Sequence, residues 1–245
     1  MKKALVAGCS YTYGQELVAN PKDQNGDFAL EQSPENTEYR LRNRWVSVLL
    51  EKLGASVLTD LSSPGSSNDK IFRTVTNRLI IDDKPDVVVV GWSYDDRTEF
   101  YDKRDNYFHQ FQNNNEYNSF KDNLKFLKQM YYNYNFEANV HIQKTVRYQY
   151  LLAVSLKALN IPFLFCNCAD STWGLSRQSE FIVNTSTKSM LSNYRKEVGL
   201  NHYMINSFNE FSDKYPRGPG GHPLAAANLV WADELYNYVS RNNIL

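Results

Sequence analysis

The chain has 245 residues, 27 Lys and Arg against 27 Asp and Glu, a formal net charge of +0 and 42% hydrophobic residues. It is long enough to bury a sizeable core, and one α/β domain over 1–245, with insertions at about 20–43 and 95–136, is expected rather than two domains. The charge balance leaves no electrostatic footprint for nucleic acid or a membrane surface, and no apolar run approaches the roughly 18 residues of a membrane span.

Ala4 to Gly8 reads as a first buried strand that ends abruptly in Gly8-Cys9-Ser10, with a hydroxyl beside the turn. Met1-Lys2-Lys3 leads into it without a small-residue cleavage site, so a chain that starts here and works in a cytoplasm is expected. The polar segment from about 20 to 43, with Pro21, Gly26 and Pro34, reads as a long loop. Arg44 to Leu53 has helical apolar spacing stopped by Gly54, and Ala55 to Leu58 follows as a second strand. After the turn-forming Ser62-Ser63-Pro64-Gly65-Ser66-Ser67, either Ser67 or Asn68 caps a helix to about Ile81, with Ile71, Phe72, Val75 and Leu79 on one face. Val87-Val88-Val89-Val90 is apolar on both faces and has to be a central strand.

Beyond Trp92 an insertion rich in tyrosine, phenylalanine and asparagine runs from about 95 to 136. Its aromatics suit sugars, a protein partner or packing as a cap over the sheet, and the few basic clusters do not make a nucleic-acid platform. Glu137 to Leu159 reads as a long helix and Pro162 to Cys166 as a fourth strand, while 169–200 carries no clear assignment. Tyr203-Met204-Ile205 is a short fifth strand, and Leu224 to Tyr238 an amphipathic helix. Alternation of strand and helix implies an α/β/α, flavodoxin-like arrangement around a mainly parallel five-stranded sheet of order 2-1-3-4-5. In such a sheet the ligand crevice lies beyond the carboxyl ends of the strands at the switch point, which gathers Ser10, Gly65, Asn68, Gly91-Trp92-Ser93 and His222 at one edge.

Cys9, Cys166 and Cys168 are too few and too unevenly placed for a disulfide framework. Reduced thiols at strand ends are the expectation, the alternative being a metal held by Cys166 and Cys168 with Cys9 and a histidine.

Four ordered motifs resemble the SGNH, or GDSL-like, hydrolase superfamily, in particular its small divergent bacteriophage members. Gly8-Cys9-Ser10-Tyr11-Thr12-Tyr13-Gly14 is similar to the first block, with Cys9 where the better-known Gly-Asp-Ser has aspartate. Pro64-Gly65-Ser66-Ser67-Asn68 resembles the second, and Gly91-Trp92-Ser93 stands in place of Gly-x-Asn, with Ser93 at the asparagine. Gly221-His222-Pro223, followed by a helix with Trp231-Ala232, resembles the last block, Asp-x-x-His, except that Pro219 stands where the aspartate belongs.

The resemblance implies Ser10 as nucleophile and His222 as its base. A serine hydroxyl is a weak nucleophile until an imidazole takes its proton. The developing oxyanion would be met by the Ser10 and Gly65 amides, with Ser93 or Asn68 as a third donor, and no metal or organic cofactor is required. With no aspartate before His222, a backbone carbonyl of the Gly218-Pro219-Gly220-Gly221 loop, Asp213 or Glu210 is expected behind the imidazole.

Arg97 and Glu99 are expected to form a loop-pinning ion pair, with substrate binding by Arg97, Trp92 or Tyr11 as the lesser alternative. His109, His141 and His202 read as structural or exposed. Ser10, Asn68 and Ser93 also have plainer readings, as helix caps or a strand end. The function these residues imply is a serine esterase acting on a carboxylic ester, with O-acylated carbohydrate the favoured substrate. The alternative is a catalytically degenerate module that binds glycan or phage proteins. A phage origin would place it in the host cytoplasm or on a virion; nothing in the sequence speaks to an oligomer.

Overall fold

An all-β-branched valine run has no polar face to offer water, so it needs cover on both sides. The computed structural model, which describes residues 1–23, 28–81, 84–103, 106–111, 129–131, 138–169, 185–203 and 205–245, provides that cover. In chain order the strands are β1 (Lys2–Gly8), β2 (Ala55–Asp60), β3 (Val87–Trp92), β4 (Thr98–Asp102), β5 (Tyr107–Phe111), β6 (Phe163–Asn167) and β7 (His202–Tyr203). Five of them form a parallel sheet in the order β2-β1-β3-β6-β7, with β3 in the middle and buried throughout. Once the separate β4-β5 hairpin is set aside, this is the expected order 2-1-3-4-5.

The helices are α1 (Ser10–Tyr13), α2 (Phe28–Glu31), α3 (Pro34–Asn43), α4 (Trp45–Lys52), α5 (Asn68–Ile81), α6 (Ala138–Ala158), α7 (Thr185–Val198), α8 (Phe208–Phe211) and α9 (Ala225–Asn242). Strand alternation divides the core between two layers. Ala4, Val6, Val87 and Val89 pack with Trp45, Leu49, Trp231 and Leu235 of α4 and α9. Leu5, Ala7, Val88 and Val90 pack with Ile71, Val75, Val146, Leu156 and Tyr194 of α5, α6 and α7. The result is a three-layer α/β/α sandwich.

Several elements differ from the sequence expectation. The stretch expected as a loop at 20–43 holds a 3-10 turn at Pro21–Asp23 and the helices α2 and α3. Ser33 caps α3 by accepting from the Asn36 amide at 3.2 Å, and Pro34 sits at its start. The buried residues of α3 are the polar Asn36 and Arg40, so apolar periodicity does not reveal it. In the unassigned 169–200 region, α7 buries Tyr194 and Val198, with Met190 and Leu191 partly buried, along a mostly polar helix. The last strand is His202–Tyr203, not 203–205: Met204 lies outside the described residues, and Ile205 is 70% exposed. In the aromatic insertion β4 and β5 pair antiparallel, and most of 112–137 lies outside the described residues.

Candidate active site

The turn after β1 is built by volume. Gly8 and Gly91 are ladder partners on adjacent strands, and the fully buried Thr12 side chain fills the space that side chains there would need. A Cβ at either glycine would run into the Thr12 hydroxyl, which itself bonds the Cys168 thiol at 3.3 Å. Residue 8 and residue 91 must therefore be glycine for Thr12 to fold back and begin α1. Cys9, Cys166 and Cys168 are buried free thiols, and the hydrogen bond with Cys168, then burial, push the Cys9 thiol well up. A protonated, enclosed Cys9 leaves Ser10 as the candidate nucleophile at this turn. Ser10 is the first residue of α1 and only 2% exposed.

Gly65 follows Pro64 in the loop after β2 and has φ +74, the left-handed region a glycine enters without penalty. The loop is fixed by the Ser63 amide on the Gly8 carbonyl at 3.1 Å and the Ser66 amide on the Ser63 carbonyl at 3.2 Å. Neither the Ser10 nor the Gly65 amide donates to a described group. Ser67 caps α5 by accepting from the Lys70 amide at 3.2 Å. That frees Asn68 for another task. Its Oδ1 accepts the Ser93 amide at 2.8 Å, while its Nδ2 donates to the Ser93 carbonyl and the Thr145 hydroxyl, both at 3.1 Å. An amide nitrogen has two protons, and both are engaged here. Asn68 is thus a clamp on the loop after β3, not a donor to an oxyanion.

The group behind His222 is the residue that sequence reasoning missed. His222 Nδ1 lies 2.9 Å from Glu16 Oε2, and the same carboxylate accepts the Gly220 amide at 2.6 Å and the His222 amide at 2.9 Å. Glu16 is 3% exposed as a side chain, and His222 16%. Burial pushes the Glu16 carboxyl up. The His222 side chain and then the two amides outweigh that, and its pKa ends below the ordinary 4.5. An ionised carboxylate can only accept, so Nδ1 carries a proton, and in the neutral ring Nε2 is then the acceptor nitrogen. Glu16 adopts φ +66, a left-handed conformation that costs a residue with a side chain about 1–2 kcal/mol. The bonds it makes offset that strain.

The glycines of the last block exist for this carboxylate. A Cβ on Gly218 would stand 2.7 Å from Glu16 Cδ, and one on Gly220 would stand 3.2 Å from it. Arg217 locks the loop from outside, donating to the Gly221 carbonyl and the Asn209 carbonyl, both at 2.6 Å, and to Asn209 Oδ1 at 2.8 Å. Asn209 Oδ1 also accepts the Tyr11 hydroxyl at 2.8 Å, and the Tyr11 ring lies 5.3 Å from that of His222. One network therefore joins the residue after Ser10 to the histidine loop. Trp231, fully buried, stacks on Phe208 at 5.4 Å beside Asn209 and supports this end of the sheet.

The other expected partners are elsewhere. Asp213 pairs with Arg217 at 3.0 Å, and Glu210 closes the capping box of α8 with Ser207. Among the described residues no backbone carbonyl bonds the His222 ring; the group at Nδ1 is Glu16. Glu99 does not pair with Arg97; Arg73 grips it through two bonds of 2.8 and 3.0 Å, which pins β4 to α5. Arg97 instead donates to the Ser93 hydroxyl at 3.1 Å. Trp92 is not a crevice residue: it is 1% exposed and meets Phe165 edge-on within the core. His141 bonds Tyr131 at 2.7 Å and the Asp95 carbonyl at 3.2 Å. His202 bonds Tyr194 at 3.0 Å, and burial lowers its pKa to about 3. His109 lies on the hairpin, where Tyr101 and Tyr107 are exposed.

The fold is a three-layer α/β/α sandwich, and these loops follow the carboxyl ends of its parallel strands. The chain belongs to the Family of unknown function (DUF6071), whose model matches residues 27–245. No curated protein matches it. Among solved structures it is similar to a Corynascus thermopiles (Myceliophthora fergusii) carbohydrate esterase family 2 enzyme with its carbohydrate-binding domain. The identity is 13% and the TM-score 0.50, over 99% of this chain and 67% of that one. It is also similar to a carbohydrate esterase whose active site displays divergent catalytic and non-catalytic binding functions. There the identity is 14% and the TM-score 0.51, over 98% of this chain and 65% of the other. The chain thus spans about two thirds of the length of these structures, and at such identity the likeness is one of fold. Among the described residues, no helix is long and apolar enough to cross a membrane.

Proposed function

We propose that the chain is a serine esterase in which Ser10 is the nucleophile, His222 the general base and Glu16 the carboxylate that orients it. The observation that carries this reading is the 2.9 Å contact between His222 Nδ1 and a Glu16 carboxylate pinned by two backbone amides. A base needs a fixed tautomer with its lone pair on one nitrogen and a counter-charge behind the other, and Glu16 supplies both. His222 Nε2 takes the Ser10 proton as Oγ attacks the ester carbonyl, then returns it to the leaving alcohol as the tetrahedral intermediate collapses. Water repeats the cycle on the acyl-serine, releasing the acid and restoring Ser10. The Ser10 and Gly65 amides, without other acceptors among the described residues, serve as oxyanion donors.

Esters on carbohydrate are the preferred substrate class, in keeping with the two carbohydrate esterases of similar fold. The test is turnover of p-nitrophenyl acetate and covalent labelling by a fluorophosphonate, in wild type, Ser10→Ala and His222→Ala. Labelling of wild type and His-dependent turnover are expected, with both lost in Ser10→Ala. A folded wild type that neither labels nor turns over ester would refute the assignment and leave a binding module.

A further inference from the structure

We infer that Arg97 acts through Ser93, turning the Ser93 hydroxyl into the third oxyanion donor of the site. The inference rests on the esterase reading above. Gly8 and Gly91 are ladder partners, and Ser10 and Ser93 each follow their glycine by two residues, so both serines come just after the carboxyl ends of neighbouring parallel strands. Parallel strands lie about 4.8 Å apart, so both serines belong to the same edge of the sheet.

The Ser93 main chain is held on both sides by Asn68, through its amide at 2.8 Å and its carbonyl at 3.1 Å. Its hydroxyl accepts Arg97 Nη1 at 3.1 Å. The Arg97 side chain reaches back because its amide closes a turn on the Tyr94 carbonyl at 3.3 Å and its guanidinium lies over the Tyr94 ring at 4.9 Å. A guanidinium has no acceptor capacity, so the Ser93 proton has to leave on the side away from Arg97. A hydroxyl that already accepts from a cation is a stronger donor than a neutral one, because its oxygen is polarised. No proton moves from Ser93 or Arg97 in this scheme; both stabilise charge created by the attack of Ser10.

The test is a double-mutant cycle on p-nitrophenyl acetate, with rates normalised to the fraction of sites titrated by a fluorophosphonate. Ser93→Ala and Arg97→Ala are each expected to lower kcat by roughly 100- to 1,000-fold with KM within about 2-fold, as for loss of one oxyanion donor. The double variant should lose no more than the worse single one, and Arg97→Lys should recover part of the rate. Additive losses, a rise in KM with kcat unchanged, or no loss would each overturn the inference and show Arg97 acting on substrate directly or not at all. If Arg97→Ala does not fold, Arg97→Gln and Arg97→Lys carry the same comparison. An active wild type with an inactive Ser10→Ala keeps the esterase reading whatever Arg97 does. A wild type without turnover or labelling removes both.

Discussion

At the serine turn, Gly8 and Gly91 leave room for Thr12, whereas at the histidine loop Gly218 and Gly220 leave room for the Glu16 carboxylate. Both regions look alike in sequence, as glycines beside a serine or a histidine. One is assembled by volume and the other by charge and hydrogen bonds. Steric assembly is insensitive to pH and intolerant of a single added methyl; electrostatic assembly titrates and depends on where one carboxylate points.

The largest expected effect breaks the electrostatic half alone. Glu16→Gln keeps the size of the side chain but loses the charge behind His222, and kcat should fall about 10³- to 10⁴-fold in ester turnover while Ser10 remains in place. A fall of less than about 10-fold would mean that Glu16 is only a loop anchor.

Next comes the steric half. Gly91→Ala should cost about 2–3 kcal/mol in denaturant unfolding, because its methyl enters the space of the Thr12 hydroxyl. Adding Thr12→Ala should return part of that loss, and a purely additive double variant would contradict the volume argument.

Gly218→Ala probes the boundary between the two. Gly218 does not have a left-handed φ, so alanine meets no backbone penalty there, yet its Cβ would stand 2.7 Å from Glu16 Cδ. A loss of roughly 10-fold in kcat with about 1 kcal/mol of stability is expected, measured by turnover and thermal unfolding side by side.

The smallest effect separates the halves by pH. Glu16 has a folded pKa below its ordinary 4.5, so the folded state binds its proton less readily than the unfolded chain. Its stabilising contribution is therefore complete above 4.5 and is lost as pH falls through the lowered folded value. The stability gap between wild type and Glu16→Gln should narrow in acid, while that between wild type and Gly91→Ala should stay constant over the same range. A Glu16 gap that persists unchanged in acid would contradict the ionic role.

Much of the framework was legible because it depends on neighbours in sequence. The valine run required a central strand, Gly54 ended a helix, and the Pro64-Gly65 pair made the turn it promised. What stayed hidden was polar. α3 and α7 bury few apolar side chains, so periodicity passes over them. Glu99 has an arginine two residues away, yet it pairs with Arg73 on another element, because the hairpin returns it to α5. The glycines around His222 were a signal that something fills the space they leave, although nothing local says what.

The sequence by itself determined the alternation of strand and helix, the sheet order and the segments that converge at its carboxyl edge. Apolar patterning and turn chemistry act over a few residues and can be read there. Only the tertiary structure decided which carboxylate stands behind His222, which donor was already engaged at Asn68, and that Arg97 backs Ser93. Those are pairings of polar atoms across as many as 206 positions, set by where the backbone brings each group. A charge carries no mark of its partner until the chain has folded.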